Sequence, residues 1–475
     1  MKISLISPAG IMYRKGGGVF PRVLRYAPLT LTTLAALVPS ELEAEVEIID
    51  EGIQKVPRNL ETDLIGITAI TGTSKRAYAM ADYFREKRVP VVLGGPHPTL
   101  MPQEAVEHAD AIVTGLAFEA WPKLLKDFKT GKMETVYSQE SKPDLSGIPN
   151  ARRDLLKPFG YITRNSMQAT FGCPYRCDFC AVVATQKKYL HRPIPDVIKE
   201  LESMNGSFVS FVDPSPIEDL RYAKDLYKAM IPLKKKWGGL ATVNIANDPE
   251  LLDLMEQSGC KGILIGFETI NQDSLNAINK SFNQVHQYKE VIKKVHDHGI
   301  AINGTFMFGM DGDKKDCFDR VSDFVYENNI ELPRYAIYTP FPGTALFNRL
   351  QKEGRIITTN WSLFDGQHVV FQPAQMNVDE LREGELRAWE NTYKVGSIFK
   401  RTFGSMCSPL ISMVTNFGYR YYANRLRDYT DERMESEESV WNSPFEVSSQ
   451  PIGEKQSELE TITTRQLYTP TINGK

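Results

Sequence analysis

Three cysteines in the stretch Phe171-Gly172-Cys173-Pro174-Tyr175-Arg176-Cys177-Asp178-Phe179-Cys180 are the residues best placed to do chemistry. With three and then two residues between them on one loop, Cys173, Cys177 and Cys180 can hold three irons of a four-iron, four-sulfur cluster. Such clusters usually take four cysteines. The others, Cys260, Cys317 and Cys407, are distant and isolated. One iron is then left without a protein ligand, open to substrate or cofactor. Zinc is the competing reading, with His191 completing a Cys3His set, but zinc sites usually draw on a second cysteine pair or two histidines. A disulfide framework fits less well in a long chain with few cysteines.

The 475 residues, 42% apolar and 24% charged, leave room for several domains with real cores. A formal charge of -3 argues against nucleic acid as a partner. The longest apolar stretch, residues 29–38, is about half of a bilayer span. The chain opens on strand-like Lys2-Ile3-Ser4-Leu5-Ile6-Ser7, not on a signal segment, so a cytoplasmic location is expected.

The cysteines need a scaffold, and the pattern predicts an α/β protein. Residues 1–150 alternate short β-branched strands (3–7, 46–50, 64–70, 89–93, 111–114) with amphipathic stretches such as 75–87. Such alternation predicts a Rossmann-like, doubly wound parallel sheet. Ligands of these sheets bind beyond the strands' carboxyl ends. Here those ends carry Thr71-Gly72-Thr73-Ser74, Gly94-Gly95-Pro96-His97 and Thr114-Gly115, where small residues let a large ligand approach the backbone.

A linker is expected near 138–149. A second alternation follows, with strands at 166–171, 208–213, 239–245, 262–268, 301–308 and 334–339. Six β/α units over 160–375 predict a partial or full parallel barrel with functional residues at the strands' carboxyl ends. The cysteine loop follows the first of these strands. Over 376–430 a helical region is expected, with 380–403 as one helix. The basic, aromatic stretch 417–426 reads as a helix packed on the barrel with snorkelling arginines. A face turned to substrate or grazing a membrane is the other reading. Residues 431–475, acidic and then rich in Ser, Thr, Gln and Pro, are expected to be disordered.

The cysteine motif, with aromatic Phe179 before its third cysteine, resembles the signature of the radical S-adenosylmethionine (SAM) enzymes. Gly266-Phe267-Glu268-Thr269 resembles their Gly-x-Glu-Ser element near the ribose and amino group of the cofactor. The stretches around Asp213, Thr305 and Tyr338 resemble other strand ends of their six-stranded barrel. Residues 1–150 resemble the cobalamin-binding module of one subgroup, in Thr71, Gly72, Thr73, Gly94, Gly95, His97, Gly115 and Glu119. Two departures stand out. No Asp-x-His-x-x-Gly motif supplies a lower cobalt ligand, and Leu116 replaces a Glu often present there.

The resemblance implies a [4Fe-4S] cluster, S-adenosylmethionine and cobalamin, with an external electron donor of flavodoxin or ferredoxin type. It implies methylation of an unactivated carbon of an apolar small molecule (lipid, hopanoid or tetrapyrrole) through a 5′-deoxyadenosyl radical and methylcobalamin. An oxidative cyclisation or carbon–carbon coupling is the alternative, and a non-catalytic sensor a third reading. Glu268 would meet a ribose hydroxyl or the ammonium, against a plain reading as a surface carboxylate. Asp213 would play a related part, against a turn cap. His97, between two prolines, reads as a turn residue whose neighbouring backbone meets the corrin.

Overall fold

The computed structural model describes residues 1–10, 26–139, 143–186 and 188–430. Six short strands form the first sheet: β1 (Lys2–Ser7), β2 (Glu45–Asp50), β3 (Leu64–Thr68), β4 (Val91–Gly94), β5 (Ala111–Thr114) and β6 (Val136–Ser138). Their order is β2-β1-β3-β4-β5-β6 and every neighbouring pair is parallel. Alternate side chains enter different cores, as a period of two demands. Ile65, Ile67, Val91 and Leu93 join one cluster, while Leu64, Val92 and Val113 join the other. Each such side chain is worth roughly 1.5–3 kcal/mol when fully buried. Both faces are therefore covered, which makes the sheet doubly wound.

Strand β6 lies partly inside the stretch expected to be linker. Three residues carry too little pattern to announce a strand; the Tyr137 hydroxyl fixes it by donating to Asp127 and accepting from the Glu134 amide.

Eight further strands follow: β7 (Ser166–Met167), β8 (Thr170–Phe171), β9 (Leu190–His191), β10 (Phe208–Phe211), β11 (Lys236–Ala241), β12 (Cys260–Glu268), β13 (Ala301–Phe308) and β14 (Arg334–Ile337). Six make a second parallel sheet, ordered β14-β13-β12-β11-β10-β7. The sheet is a partial barrel, since β7 and β14 occupy its two ends. The expected first strand, 166–171, is split. Asp213 accepts the amides of Ala169 and Thr170 and so ends the parallel ladder. The chain then pairs β8 antiparallel with β9. The strand expected over 239–245 likewise stops at Ala241 and gives way to the 3-10 turn Val243–Asn247.

The helix expected over 380–403 is two helices, Val378–Thr392 and Val395–Ser405. Tyr393 breaks them: its hydroxyl donates to the Pro333 carbonyl and its ring stacks on Trp389, while Lys394 is extended. The basic, aromatic stretch belongs to a third helix, Pro409–Thr430. Buried Arg401 fastens this region to the barrel by donating to the carbonyls of Ile330, Glu331 and Thr392. The stretch 431–475, expected to be disordered, lies outside the described residues, as do 140–142 of the expected linker.

Candidate active site

The cysteine loop leaves β8 through Gly172. Its φ is +75°, and a Cβ there would overlap the Lys188 carbonyl, so only glycine fits. Segments that follow four barrel strands then pin the loop. Tyr175 stacks on Phe282 at 3.8 Å, donates to Glu218 (2.6 Å) and accepts from Asn244 (2.7 Å). The Asp178 amide donates to the Ile278 carbonyl (3.2 Å), and its carboxylate accepts from the Tyr338 hydroxyl at 2.7 and 2.8 Å. The Phe179 ring meets Tyr338 edge-on, 6.0 Å between centroids.

All three thiols are half-buried. Burial pushes Cys177 up to about 12 and Cys180 in the same direction, while the Lys280 ammonium opposes both. A structural zinc would need a fourth protein ligand beside these three thiols. His191 is engaged elsewhere, stacked on Tyr222 at 4.5 Å. The set that does converge among the described residues is His296, Glu331 and Cys407, away from this loop in sequence.

Glu268 ends β12 with φ +66°, a left-handed conformation costing roughly 1–2 kcal/mol in a non-glycine residue. Its carboxylate is buried and paired with Lys280. The surface reading of Glu268 is thereby corrected, because Lys280 covers it. Lys280 itself escaped the sequence reading: it sits in the loop Ile278-Asn279-Lys280, whose spacing announces nothing. Asp213 is wholly buried, and its Oδ1 accepts from the Ala169 amide and from both the amide and hydroxyl of Thr170. These bonds tie it to a segment more than forty residues earlier and not to its own turn at Pro214. Its Oδ2 has no partner among the described residues, and burial pushes the carboxyl up to about 6. Thr305 bridges strands, donating to the Ile265 carbonyl at 3.4 Å.

A cavity of about 480 Å³ joins the two sheets. Its first wall is Leu29, Thr30, Thr68, Gly94, Gly95, Pro96, Gly115 and Leu116; its second is Gln168, Phe171, Gly172, Val182, Thr185 and Arg192, flanking the cysteine loop. Of the residues matched to the corrin module, Gly94, Gly95 and Gly115 line it. Gly95 has φ +100°, and a Cβ there would lie 2.7 Å from Thr68 Oγ1.

Thr71, Gly72, Thr73, His97 and Glu119 do not line the cavity. The first three pack under the turn Trp361–Leu363 and its continuation: a Cβ on Gly72 would sit 3.3 Å from the Phe364 carbonyl. His97 is wholly buried with Nδ1 3.3 Å from Thr71 Oγ1 and Nε2 3.3 Å from Glu104, a carboxylate that also accepts from the Trp361 indole. Both ring nitrogens face protein groups, and the ring lies outside the cavity lining. Glu119 is exposed ahead of the helix Ala120–Lys129.

Arg192 is a second residue that sequence reading missed. It donates to Glu200 (2.6 Å) and to the Gln168 carbonyl (3.1 Å), while buried Nε and Nη2 have no partner among the described residues. Arg192 and Glu200 stand eight residues apart with no motif to link them; only folding brings both to the cavity wall.

A doubly wound module whose glycine-lined strand ends face the cysteine loop of a partial barrel defines a class of two-cofactor enzymes. Comparison with known proteins agrees. Residues 25–125 match the B12 binding domain, 167–325 the Radical SAM superfamily and 344–410 a domain of unknown function. The chain is 30% identical over 397 residues to bacteriochlorophyllide d C-12(1)-methyltransferase of Chlorobaculum tepidum, covering 79% of this chain and 85% of that protein. It is 28% identical to hopanoid C-2 methylase of Rhodopseudomonas palustris, over 70% of this chain and 65% of the relative. The fold is similar to that of the radical S-adenosylmethionine methyltransferase TsrM of Kitasatospora setae, solved with cobalamin and a [4Fe-4S] cluster. The TM-score is 0.61, with 17% identity over 74% of this chain and 78% of that one. The chain belongs to the cobalamin-binding radical SAM enzymes. Its cofactors are a [4Fe-4S] cluster, S-adenosylmethionine and cobalamin.

Proposed function

We propose that this enzyme methylates an unactivated carbon of an apolar small molecule of the lipid, hopanoid or tetrapyrrole kind. The cavity walled by the corrin module and by barrel residues on either side of the cysteine loop carries the reading, because it lets two cofactors act on one substrate. When bound, the cofactors supply one-electron cleavage of S-adenosylmethionine and a cobalt-borne methyl group.

The chain's residues hold, orient and shield. Cys173, Cys177 and Cys180 ligate the cluster, and Tyr175, Asp178 and Tyr338 keep their loop in place. Phe179 and the buried Glu268–Lys280 pair flank the S-adenosylmethionine position, with Lys280 setting the carboxylate's direction. Gly94, Gly95 and Gly115 let the corrin approach the backbone. Leu116, in the cavity wall, offers no group to cobalt, in keeping with a site lacking a histidine ligand. Asp213 positions the start of the cysteine strand and Thr305 ties β13 to β12; neither reading requires contact with a cofactor.

An apolar substrate suits the cavity's lining, and a cytoplasmic flavodoxin- or ferredoxin-type protein suits the need for single electrons. Anaerobically reconstituted enzyme given methyl-labelled S-adenosylmethionine should pass label to product. Deoxyadenosine released with product formed but unlabelled would replace methylation by cyclisation or coupling.

A further inference from the structure

The helices Val395–Ser405 and Pro409–Thr430 are inside out over their first turns. Towards the protein they bury Ile398 together with the polar Arg401, Thr402, Ser412 and Asn416. Towards solvent they present Phe399, Phe403, Met406, Leu410, Ile411 and Val414, with Leu410 78% and Val414 66% exposed. Counting Val395 and Phe417, this 23-residue span holds 8 of the 16 exposed large hydrophobics among the described residues. The surface is continuous: Phe399 and Phe403 stack at 5.9 Å, and the two helices pack on each other. Exposed apolar patches of this kind mark an interaction site.

Charge selects the occupant. Residues 391–427 contain six cations and no Asp or Glu. Of these, Lys394 and Arg425 are exposed and Lys400 and Arg420 half-buried, whereas Arg401 is buried and Arg427 is paired with Glu383. A second copy docked about a two-fold axis would set these cations against their own kind. An anionic lipid surface complements them and takes up the apolar side chains. No described helix is long and apolar enough to cross a membrane, so the pair lies on the bilayer and does not span it.

We propose that residues 395–417 form a docking surface for anionic membranes. The inference stands apart from the reaction assigned above. It relocates the membrane-facing reading from 417–426 to the helix Val395–Ser405 and the N-terminal half of Pro409–Thr430, because Tyr419, Tyr422 and Ala423 pack inward on the barrel core.

Flotation of the full chain with vesicles of mixed phosphatidylglycerol and phosphatidylcholine tests it, with pure phosphatidylcholine as control. The protein should float with the anionic vesicles, weakly with the neutral ones, and less at high salt. The double substitution L410E/V414E should lower the bound fraction about tenfold, by adding charge to the apolar face, with iron content and circular dichroism unchanged. Three outcomes overturn the proposal: no flotation with dimerisation that L410E/V414E abolishes, flotation indifferent to that double substitution, or binding only once residues 431–475 are removed. The last would make that segment the occupant.

Discussion

The two walls of the cavity hold ligands by different physics. The first module contributes backbone at Gly94, Gly95 and Gly115 and apolar side chains such as Leu29 and Leu116, with no charged group among the described residues. The second contributes Arg192 and Glu200. Behind that wall the barrel assembles the buried pair Glu268–Lys280 and the half-buried pair Asp178–Tyr338 beside three thiols. A broad, rigid macrocycle can be gripped by shape, and the contact needs chiefly the absence of side chains. A small zwitterion and a metal cluster need charges of fixed sign at fixed places. Single substitutions should therefore be felt locally on the first wall and throughout the barrel on the second.

The largest expected effect is at the cysteines. Alanine at Cys173, Cys177 or Cys180 should abolish the cluster's brown absorbance and its iron and sulfide, whereas alanine at Cys260, Cys317 or Cys407 should leave them. Loss of the cluster from any of the latter three would break the assignment of this wall. Next is Lys280→Met, which strands the buried Glu268 charge and should destabilise by about 3–5 kcal/mol in denaturant titration. Adding Glu268→Gln should restore part of that loss; simple additivity would mean the two do not act as a pair.

Asp213 gives a pH signature. Its ordinary value is 3.8 and its buried value about 6, so between them the folded chain keeps a proton that the unfolded chain has lost. Stability should accordingly fall by on the order of 3 kcal/mol as the pH rises through that window. Asp213→Asn retains an acceptor for Ala169 and Thr170 and should flatten the slope. An unchanged slope would place the titration elsewhere.

Smaller effects belong to the first wall. Gly95→Ala forces a side chain into a φ of +100° against Thr68 and should cost about 1–3 kcal/mol. Cobalamin retention should drop while iron content stays. Thr71→Ala, beneath the Trp361 turn, should leave cobalamin retention unchanged. If it removes cobalamin instead, the cavity's first wall extends further than the lining drawn here.

Much of this was legible beforehand. The cysteine spacing, the two alternations and the glycine-rich strand ends are local patterns, and strands such as β5 and β13 form where the pattern places them. What escaped was of long range. Asp213 splits the first barrel strand from 42 residues downstream of β8. Tyr393 breaks a helix by reaching Pro333. Thr71 and His97 carry the right residue types, but Thr71 is covered by the turn at Trp361, and the Glu104 that engages His97 is itself held by the Trp361 indole, which no local window contains.

The chain alone determined that three thiols share a loop, that two parallel sheets follow one another and that small residues end the strands of the first. Those properties are written within a few residues of one another, where covalent connectivity already sets the distances. Which strand ends face the cavity, which lysine covers Glu268 and which helix faces stay bare were decided only by tertiary packing. Groups tens to hundreds of residues apart compete there for the same buried partners, and the outcome depends on volumes and charges that meet only once the core has closed.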